Sequence, residues 1–444
     1  MEYALSVKDL RVSFYTRRGV FKALNGVNLE LRRGEVLGVA GESGSGKSTT
    51  GLAIIGLLPR NAKVSSGSVL FDGRDLLAPL TSIRKFSTRR NESAIRKLHR
   101  ELAPIRGKRI SMVFQEPMTS LNPVLQVGYQ IAETLVIHNP SLLASRKLAR
   151  VRATREDTTA LLKVIKENEG SETAVREFVE SRHLKGLEEQ ALFIWRRNDI
   201  NELRKERLIL DLCCEKVGST TKRLLESLEG GMGITKAPVL SRLLRRVLFK
   251  EGYRKAVEFL STLGVPNPEK VVQMYPHELS GGMRQRIVIA IALINNPDVI
   301  ILDEPTSAVD VTVQAQILEL VKDLKRRVNS SFIFISHDLS VLGEVSDRIA
   351  IMYGGRVVEV GPKEIVLKAP RHPYTTMLIN AIPSLDGREI RGIEGEAPEM
   401  RNPPPGCIFN NRCPFAMDKC RKEEPPSYKV SEDHYVACFL QGGK

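Results

Sequence analysis

Residues 3–15 alternate polar and apolar positions, and this period of two predicts a half-buried strand. Residues 27–33 predict a second, set between the turn signals Asn25-Gly26 and Arg32-Arg33-Gly34. Val36-Leu37-Gly38-Val39-Ala40 is continuously apolar, as a short buried strand is. Thr50 to Leu58 then looks helical and stops at Pro59. Ser68–Phe71 and Arg109–Phe114 predict short strands, and the polar, basic stretch 81–108 predicts a helix between them. Leu121-Asn122-Pro123 breaks the chain before an expected helix, Tyr129–Ile137. Asp298–Leu302 and Ser331–Ser336 are again buried-strand runs, separated by an expected helix from Val313 to Arg327. Asp347–Met352 and Arg356–Val360 predict a hairpin around Gly354-Gly355. Strands and helices interleaved in this way predict an α/β protein.

Residues 140–250 have a different texture. They are dense in Lys, Arg and Glu, with apolar stripes at helical spacing: Leu161, Leu162 and Ile165; Val175, Phe178 and Val179; Leu243, Leu244, Val247 and Leu248. A break is expected at Glu229-Gly230-Gly231-Met232-Gly233. The stretch predicts a helical hairpin or small bundle without chemistry of its own. Cys213 and Cys214 are expected to pack inside it as small buried residues.

A chain of 444 residues accommodates two or three domains. The longest apolar runs, such as Val299–Leu302, are far too short to cross a bilayer, and no leader pattern opens the chain. A cytosolic chain is expected, with any membrane role exercised through partners. The net charge of +15 permits nucleic-acid or anionic-membrane contact. Aromatics are only 5%, and no basic–aromatic alternation builds a stacking platform for single strands.

The chemistry centres on Gly41-Glu42-Ser43-Gly44-Ser45-Gly46-Lys47-Ser48-Thr49, between a strand and a helix. Glycines let such a loop turn its N–H groups toward phosphate oxygens, and the helix N-terminus adds partial positive charge. Lys47 would reach the outer phosphates and the Ser48 hydroxyl would ligate Mg²⁺. Gln115 closes a strand and can reach that metal or an attacking water. Asp303 and Glu304 end the strand Asp298–Leu302, where one carboxylate suits Mg²⁺ and the other suits polarising water. His337 ends the next strand, at the edge where α/β sheets build sites. Leu279-Ser280-Gly281-Gly282-Met283-Arg284-Gln285 opens a helix with a capping serine and free N–H groups, a second anion site.

In this order and spacing the motifs resemble an ATP-binding cassette (ABC) ATPase. The resemblance implies ATP bound with Mg²⁺ by Gly41, Ser43, Gly44, Ser45, Gly46, Lys47, Ser48, Thr49 and Gln115 (the Walker A loop and the Q-loop glutamine). It makes Asp303 the Walker B aspartate and Mg²⁺ ligand, with Ser48 and Gln115. It makes Glu304 the catalytic glutamate, Asp310 the D-loop aspartate and His337 the switch histidine. Leu279, Ser280, Gly281, Gly282 and Gln285 resemble the signature motif, which acts on the ATP of a second cassette. Phe14 lies where the family's adenine-stacking aromatic sits, with Tyr15 as its competitor.

Met118-Thr119-Ser120-Leu121-Asn122-Pro123, Tyr275-Pro276-His277, Asp310-Val311-Thr312-Val313-Gln314 and Arg371-His372-Pro373-Tyr374 narrow the resemblance to the dipeptide/oligopeptide importer ATPases. It covers residues 1–138 and 252–444. The implied fold is an α/β P-loop cassette with an antiparallel β subdomain, an inserted helical subdomain and a small metal-bound C-terminal extension. In domains this gives an ATP-binding domain over 1–366, with core 1–122 and 285–366 and a helical subdomain over 123–284. An extension over 367–444 follows. The insertion over 140–250 exceeds the family's usual helical subdomain, and Val309 replaces the more usual D-loop leucine.

The implied partners are a second homologous ATPase or another copy, two membrane permeases and an extracellular substrate-binding protein, with no nucleic acid. The implied place is the cytoplasmic face of the membrane. The implied cargo is di- or oligopeptides or a related solute such as oligosaccharides. The competing reading is a soluble cassette ATPase acting on ribosomes or nucleic acid, which the charge would suit. Such proteins usually carry two cassettes or long coiled coils, and this chain has one cassette.

Cys407, Cys413, Cys420 and Cys438 cluster near the C-terminus, separated by five, six and seventeen residues. Four thiolates suit Zn²⁺ or an iron–sulfur cluster, and disulfides are a third reading. The family resemblance favours a [4Fe-4S] cluster with a structural role, stapling a Pro/Gly-rich tail that has little apolar core.

Overall fold

The computed structural model describes residues 2–81, 88–115, 120–198, 200–231, 238–307, 310–327, 330–381 and 395–442. Met118, Thr119, Met232, Gly233 and Val309, all singled out in the sequence, lie outside the described residues. The chain forms two compact units, one of Met1–Pro117 with Asn296–Lys444 and the other of Met118–Asn295.

The first unit holds every described strand: β1 (Tyr3–Thr16), β2 (Gly19–Arg32), β3 (Val36–Ala40), β4 (Ala62–Phe71), β5 (Arg74–Asp75), β6 (Ile110–Val113), β7 (Val299–Asp303), β8 (Ser331–Ile335), β9 (Arg348–Tyr353), β10 (Arg356–Pro362), β11 (Tyr428–Ser431) and β12 (His434–Val436). One sheet is antiparallel, ordered β2-β1-β4-β5. The other has the order β11-β12-β10-β9-β3-β8-β7-β6 and is parallel from β9 to β6. The continuously apolar runs are its buried strands, and every residue of β3, β7, β8 and β9 is buried. Parallel strands covered on both faces need such runs. β2 and β4 are longer than the local pattern predicts, because pairing with β1 extends them: Phe14 lies opposite both Phe21 and Ala62. The helix expected from Thr50 instead spans Lys47–Ile54, starting inside the glycine loop and ending before Gly56 turns at φ +63°.

The C-terminal extension is part of this unit. The β11–β12 hairpin joins the edge of β10, with Glu359 opposite Val436. Glu359 is 1% exposed and would be costly to bury alone. It is satisfied by the N–H groups of Arg371 and His372 at 2.8 and 3.0 Å and by the His434 ring at 2.8 Å.

The second unit is helical. The insertion contributes helices Pro140–Arg152, Arg155–Glu167, Glu172–Ser181, Leu187–Trp195, Glu202–Leu210, Ser219–Glu229 and Pro238–Thr262, more than a hairpin. Leu161, Ile165, Val175, Val179, Leu187 and Ile209 are fully buried in one cluster, as the stripes predict. Leu243 is 45% exposed and leaves its stripe, whereas Leu244 and Leu248 stay inside. The cysteine pair also departs from expectation. Cys213 and Cys214 follow the helix Glu202–Leu210 in a turn, Cys214 is exposed with φ +60°, and the two sulfurs lie 3.3 Å apart.

Ion pairs link the helices of the insertion. Arg146 is fully buried and donates to Glu258 at 2.6 and 2.7 Å and to Glu189 at 2.7 Å. Lys147 and Arg150 meet Glu215 at 2.6 and 2.7 Å, and Arg150 also binds Gln190 and Glu251. Burial works to raise the Glu215 carboxyl, but the hydrogen bonds from Lys147 and Arg150 outweigh it and hold the pKa down to about 2.

Glu258→Ala leaves the buried Arg146 guanidinium with Glu189 as its remaining salt-bridge partner, so a loss of about 3 kcal/mol is expected in denaturant unfolding. The paired change Arg146→Met/Glu258→Leu is expected to cost much less, because both charges leave together. Glu215 has a depressed folded pKa, so its stabilisation is complete above its ordinary value of 4.5 and is lost as pH falls toward about 2. Thermal melts of Glu215→Gln should lose that part of the acid dependence.

Candidate active site

The site lies at the carboxyl ends of the parallel strands of the first unit. Val39 on β3 and Asp303 on β7 both register with Ile335 on β8, and Leu302 registers with Val113 on β6. The residues that follow therefore emerge along one edge: Gly41, Gln115, Glu304 and His337. This is where open α/β sheets bind ligands.

The glycine loop is compact. Gly41 has φ +152°, and a Cβ there would stand 2.1 Å from the Met352 carbonyl oxygen. Gly46 has φ +102°, with Leu24 at 2.8 Å from a hypothetical Cβ. Both positions exclude side chains. Lys47 is 6% exposed, and its ammonium donates to the carbonyls of Gly41 at 2.7 Å and Glu42 at 3.0 Å. Burial lowers its pKa, opposed by the charges of Glu304, Asp303 and Glu42.

The Ser48 hydroxyl donates to Asp303 at 3.0 Å. Asp303 is 4% exposed; burial and the neighbouring Glu304 raise its pKa, while Ser48 and Lys47 oppose this. A hydroxyl beside a buried carboxylate is a hard oxygen pair that fits Mg²⁺, whose charge would relieve the buried aspartate.

Glu304 is held by Gln115, whose amide donates to its carboxylate at 3.0 Å, and by the His337 ring nitrogen at 3.4 Å. Its backbone sits at φ +47°, a conformation costly for a side-chain-bearing residue. Three bonds hold it there: its N–H donates to the Ile335 carbonyl at 3.0 Å, and its carbonyl accepts from the Ser307 hydroxyl at 2.8 Å and the Ser307 N–H at 3.1 Å. Asp310 accepts from the Val313 N–H at 2.9 Å, capping the helix Val311–Arg327.

In the second unit, Ser280 caps the helix Gly281–Leu293 by accepting from Met283 at 3.3 Å. Ser280 and Gly281 are exposed and Gly282 is half-buried, whereas Leu279 and Gln285 are buried. Phe14 is half-buried on β1 and Tyr15 is exposed. A cavity of about 260 Å³ lies against the loop, lined by Glu42–Ser45, Tyr353, Phe21 rather than Phe14, and the tail residues Ala397–Arg401. The tail reaches this place by pairing with β2, through the Lys22 N–H and the Met400 carbonyl at 2.9 Å.

Sequence reasoning missed the contacts that the tail makes with the loop. Arg412 pairs with Glu42, and the Glu42 N–H donates to the Tyr374 hydroxyl. Tyr374 stood inside the quoted motif Arg371-His372-Pro373-Tyr374, but nothing local marked Arg412.

Cys407, Cys413, Cys420 and Cys438 all line one small cavity, with Phe409, Phe415 and Phe439. None forms a disulfide. Among the described residues, no three His, Cys, Asp or Glu side chains converge closely enough for a single metal ion. Burial raises the pKa of Cys407 and Cys413 and pushes Cys438 up to about 11, with the neighbouring thiols adding to the effect. Thiols gathered and buried in this way become thiolates only beside a cation.

The phosphate loop, the paired carboxylates and the parallel sheet define a P-loop nucleoside-triphosphatase cassette. The ABC transporter family model matches residues 24–307, and a model described as "Oligopeptide/dipeptide transporter, C-terminal region" matches residues 358–420. The oligopeptide transport ATP-binding protein OppD of Bacillus subtilis is 36% identical, over 98% of this chain and 88% of its own. The dipeptide transport ATP-binding protein DppD of the same organism is 35% identical, over 99% of this chain and 96% of its own. OppD of Salmonella typhimurium is 34% identical, over 98% and 93%. The chain belongs to the ABC transporter ATPases, in their oligopeptide/dipeptide branch, and is an ATP-hydrolysing enzyme.

Glu304→Gln is expected to lower ATP turnover at least ~100-fold while leaving nucleotide affinity close to that of the parent. Steady-state hydrolysis and equilibrium binding check the two halves. Lys47→Ala should weaken MgATP binding by about 10-fold or more if the buried ammonium is the group that meets phosphate; equilibrium binding checks it.

Proposed function

We propose that this chain is the ATP-hydrolysing subunit of a peptide importer and that it works as a pair of cassettes. The observation that carries the reading is the constellation at one sheet edge. Lys47, Ser48 and Asp303 lie beside Glu304, and Glu304 is oriented by Gln115 and His337. Lys47 turns from the loop carbonyls to the outer phosphates. Ser48 and Asp303 would hold Mg²⁺, which would supply charge neutralisation at the phosphates. Gln115 and His337 hold the Glu304 carboxylate so that it accepts a proton from the attacking water. The exposed Ser280-Gly281 cap supports a role on the nucleotide of the other cassette.

The relatives' names support peptides as cargo and give no support to oligosaccharides. They also support permease and substrate-binding-protein partners and a place at the cytoplasmic face of the membrane. Among the described residues, no helix is long and apolar enough to cross a membrane, so permeases would supply the channel. The ribosome or nucleic-acid reading is not favoured.

In the tail, Cys407, Cys413, Cys420 and Cys438 are the residues that would hold a [4Fe-4S] cluster. The four cysteines share one small cavity, and the preference for a cluster over Zn²⁺ rests on the family resemblance. The cluster's contribution would be to staple the tail.

Affinity purification from gently solubilised membranes should recover two permeases and a second cassette ATPase. Recovery of ribosomes with no membrane protein would overturn the importer reading. Anaerobic purification should yield a brown protein with broad visible absorption. A colourless protein with stoichiometric zinc would defeat the cluster.

A further inference from the structure

Three contacts converge on Glu42, the second residue of the phosphate loop. Its carboxylate takes both terminal nitrogens of Arg412, at 2.9 and 3.2 Å. Its N–H donates to the Tyr374 hydroxyl at 3.0 Å. Its carbonyl accepts from the Lys47 ammonium at 3.0 Å. Two of the contacts come from the C-terminal tail, and the third holds the side chain that meets phosphate.

Arg412 is itself well anchored. Its side chain is only 6% exposed, it donates to the Tyr353 hydroxyl at 3.1 Å, and it lies over the Tyr353 ring. A two-pronged guanidinium–carboxylate pair at this burial has defined geometry. Arg412 also adjoins Cys413 in the chain. Tyr353 packs against Tyr374 with ring centres 4.5 Å apart and meets Phe409 edge-on at 5.1 Å. Phe409 contacts Tyr374 at 5.4 Å and lines the four-cysteine cavity. A continuous packed path therefore runs from the cysteines to the loop, through Phe409, Tyr353, Tyr374 and Arg412.

We propose that Arg412 is a positioning residue for the phosphate loop, and that the order of the four-cysteine tail is transmitted to nucleotide affinity through the Arg412–Glu42 pair. The inference rests on the reading of Gly41–Thr49 as the cradle for ATP phosphates. With Arg412 in place, the Glu42 peptide is fixed, and with it the carbonyls that hold Lys47. Without Arg412 the entry to the loop samples more conformations, and nucleotide binding must order them. Coupling of this kind is reciprocal, so bound nucleotide tightens the tail to the same degree.

The test is equilibrium binding of a non-hydrolysable ATP analogue to the full-length protein, alongside steady-state turnover. Arg412→Gln and Glu42→Gln should each weaken affinity by about 5- to 10-fold. The double variant should be no weaker than either single one, because both remove the same link. Arg412→Lys should recover part of the loss. For Arg412→Gln, kcat at saturating ATP should stay near the parent value while KM rises, since Arg412 does not touch the attacking water. Phe409→Ala, which opens the packed path between the cysteine cavity and Arg412, should weaken affinity by a similar factor in the parent and add nothing in Arg412→Gln. Should Arg412→Gln fail to fold, Glu42→Gln tests the same link from outside the tail. Unchanged affinity in the folded single variants, or losses that multiply in the double one, would overturn the proposal. Lys47→Ala separates the two readings. If it retains affinity, the phosphate-loop assignment fails; if it loses affinity while Glu42→Gln does not, only the tail link fails.

Discussion

The register of the parallel sheet is the constraint on which the rest of the first unit depends. β3, β8 and β7 are hydrogen-bonded so that Val39, Ile335 and Asp303 end level with one another. A slip by one residue would turn every buried side chain of a strand to the opposite face and move its last residue along the edge. The fully buried strands resist such a slip. Because they do, residues far apart in the chain, Gln115, Glu304 and His337, meet at one sheet edge beside Lys47.

That rigidity is also what allows strain at Glu304. A left-handed backbone at a glutamate is unfavourable, and it survives because Ile335 and Ser307 fix the peptide on both sides. The conformation presents the carboxylate to Gln115 and His337. Asp303, one residue earlier, stays in the strand and points its charge at Ser48. One sharp turn thus gives two adjacent carboxylates different surroundings, Ser48 for Asp303, and Gln115 and His337 for Glu304.

The tail and the insertion solve opposite problems. The tail has few apolar residues of its own, so it borrows order from the sheet edge through β12, from Glu359 and from an aromatic cluster that leads to the phosphate loop. The insertion has an ample apolar core but also buries charge, and its helices are matched by pairs such as Arg146 with Glu258. Removing one member of such a pair is far more disruptive than removing both.

Much of this was legible in the sequence, because the signals were local. A glycine-rich loop between a strand and a helix, carboxylates at a strand end and continuous apolar runs each follow from the chemistry of neighbouring residues. The strand–loop–helix run at Gly41–Thr49, the strand ends before Gln115, Glu304 and His337, and the helical texture of 140–250 follow from such local signals. The remainder required the tertiary structure, because it consists of contacts between residues far apart in the chain. No local pattern marks Arg412 as the partner of Glu42, 370 positions away, or Glu359 as the acceptor for His434. Nor could composition tell that Cys213 and Cys214 would end up in a turn with one sulfur exposed. The sequence by itself determined the chemistry available along one sheet edge, since backbone periodicity and turn residues act over a few positions. Only the folded chain decided what the tail touches, because long-range pairing is set by the packing of the whole unit.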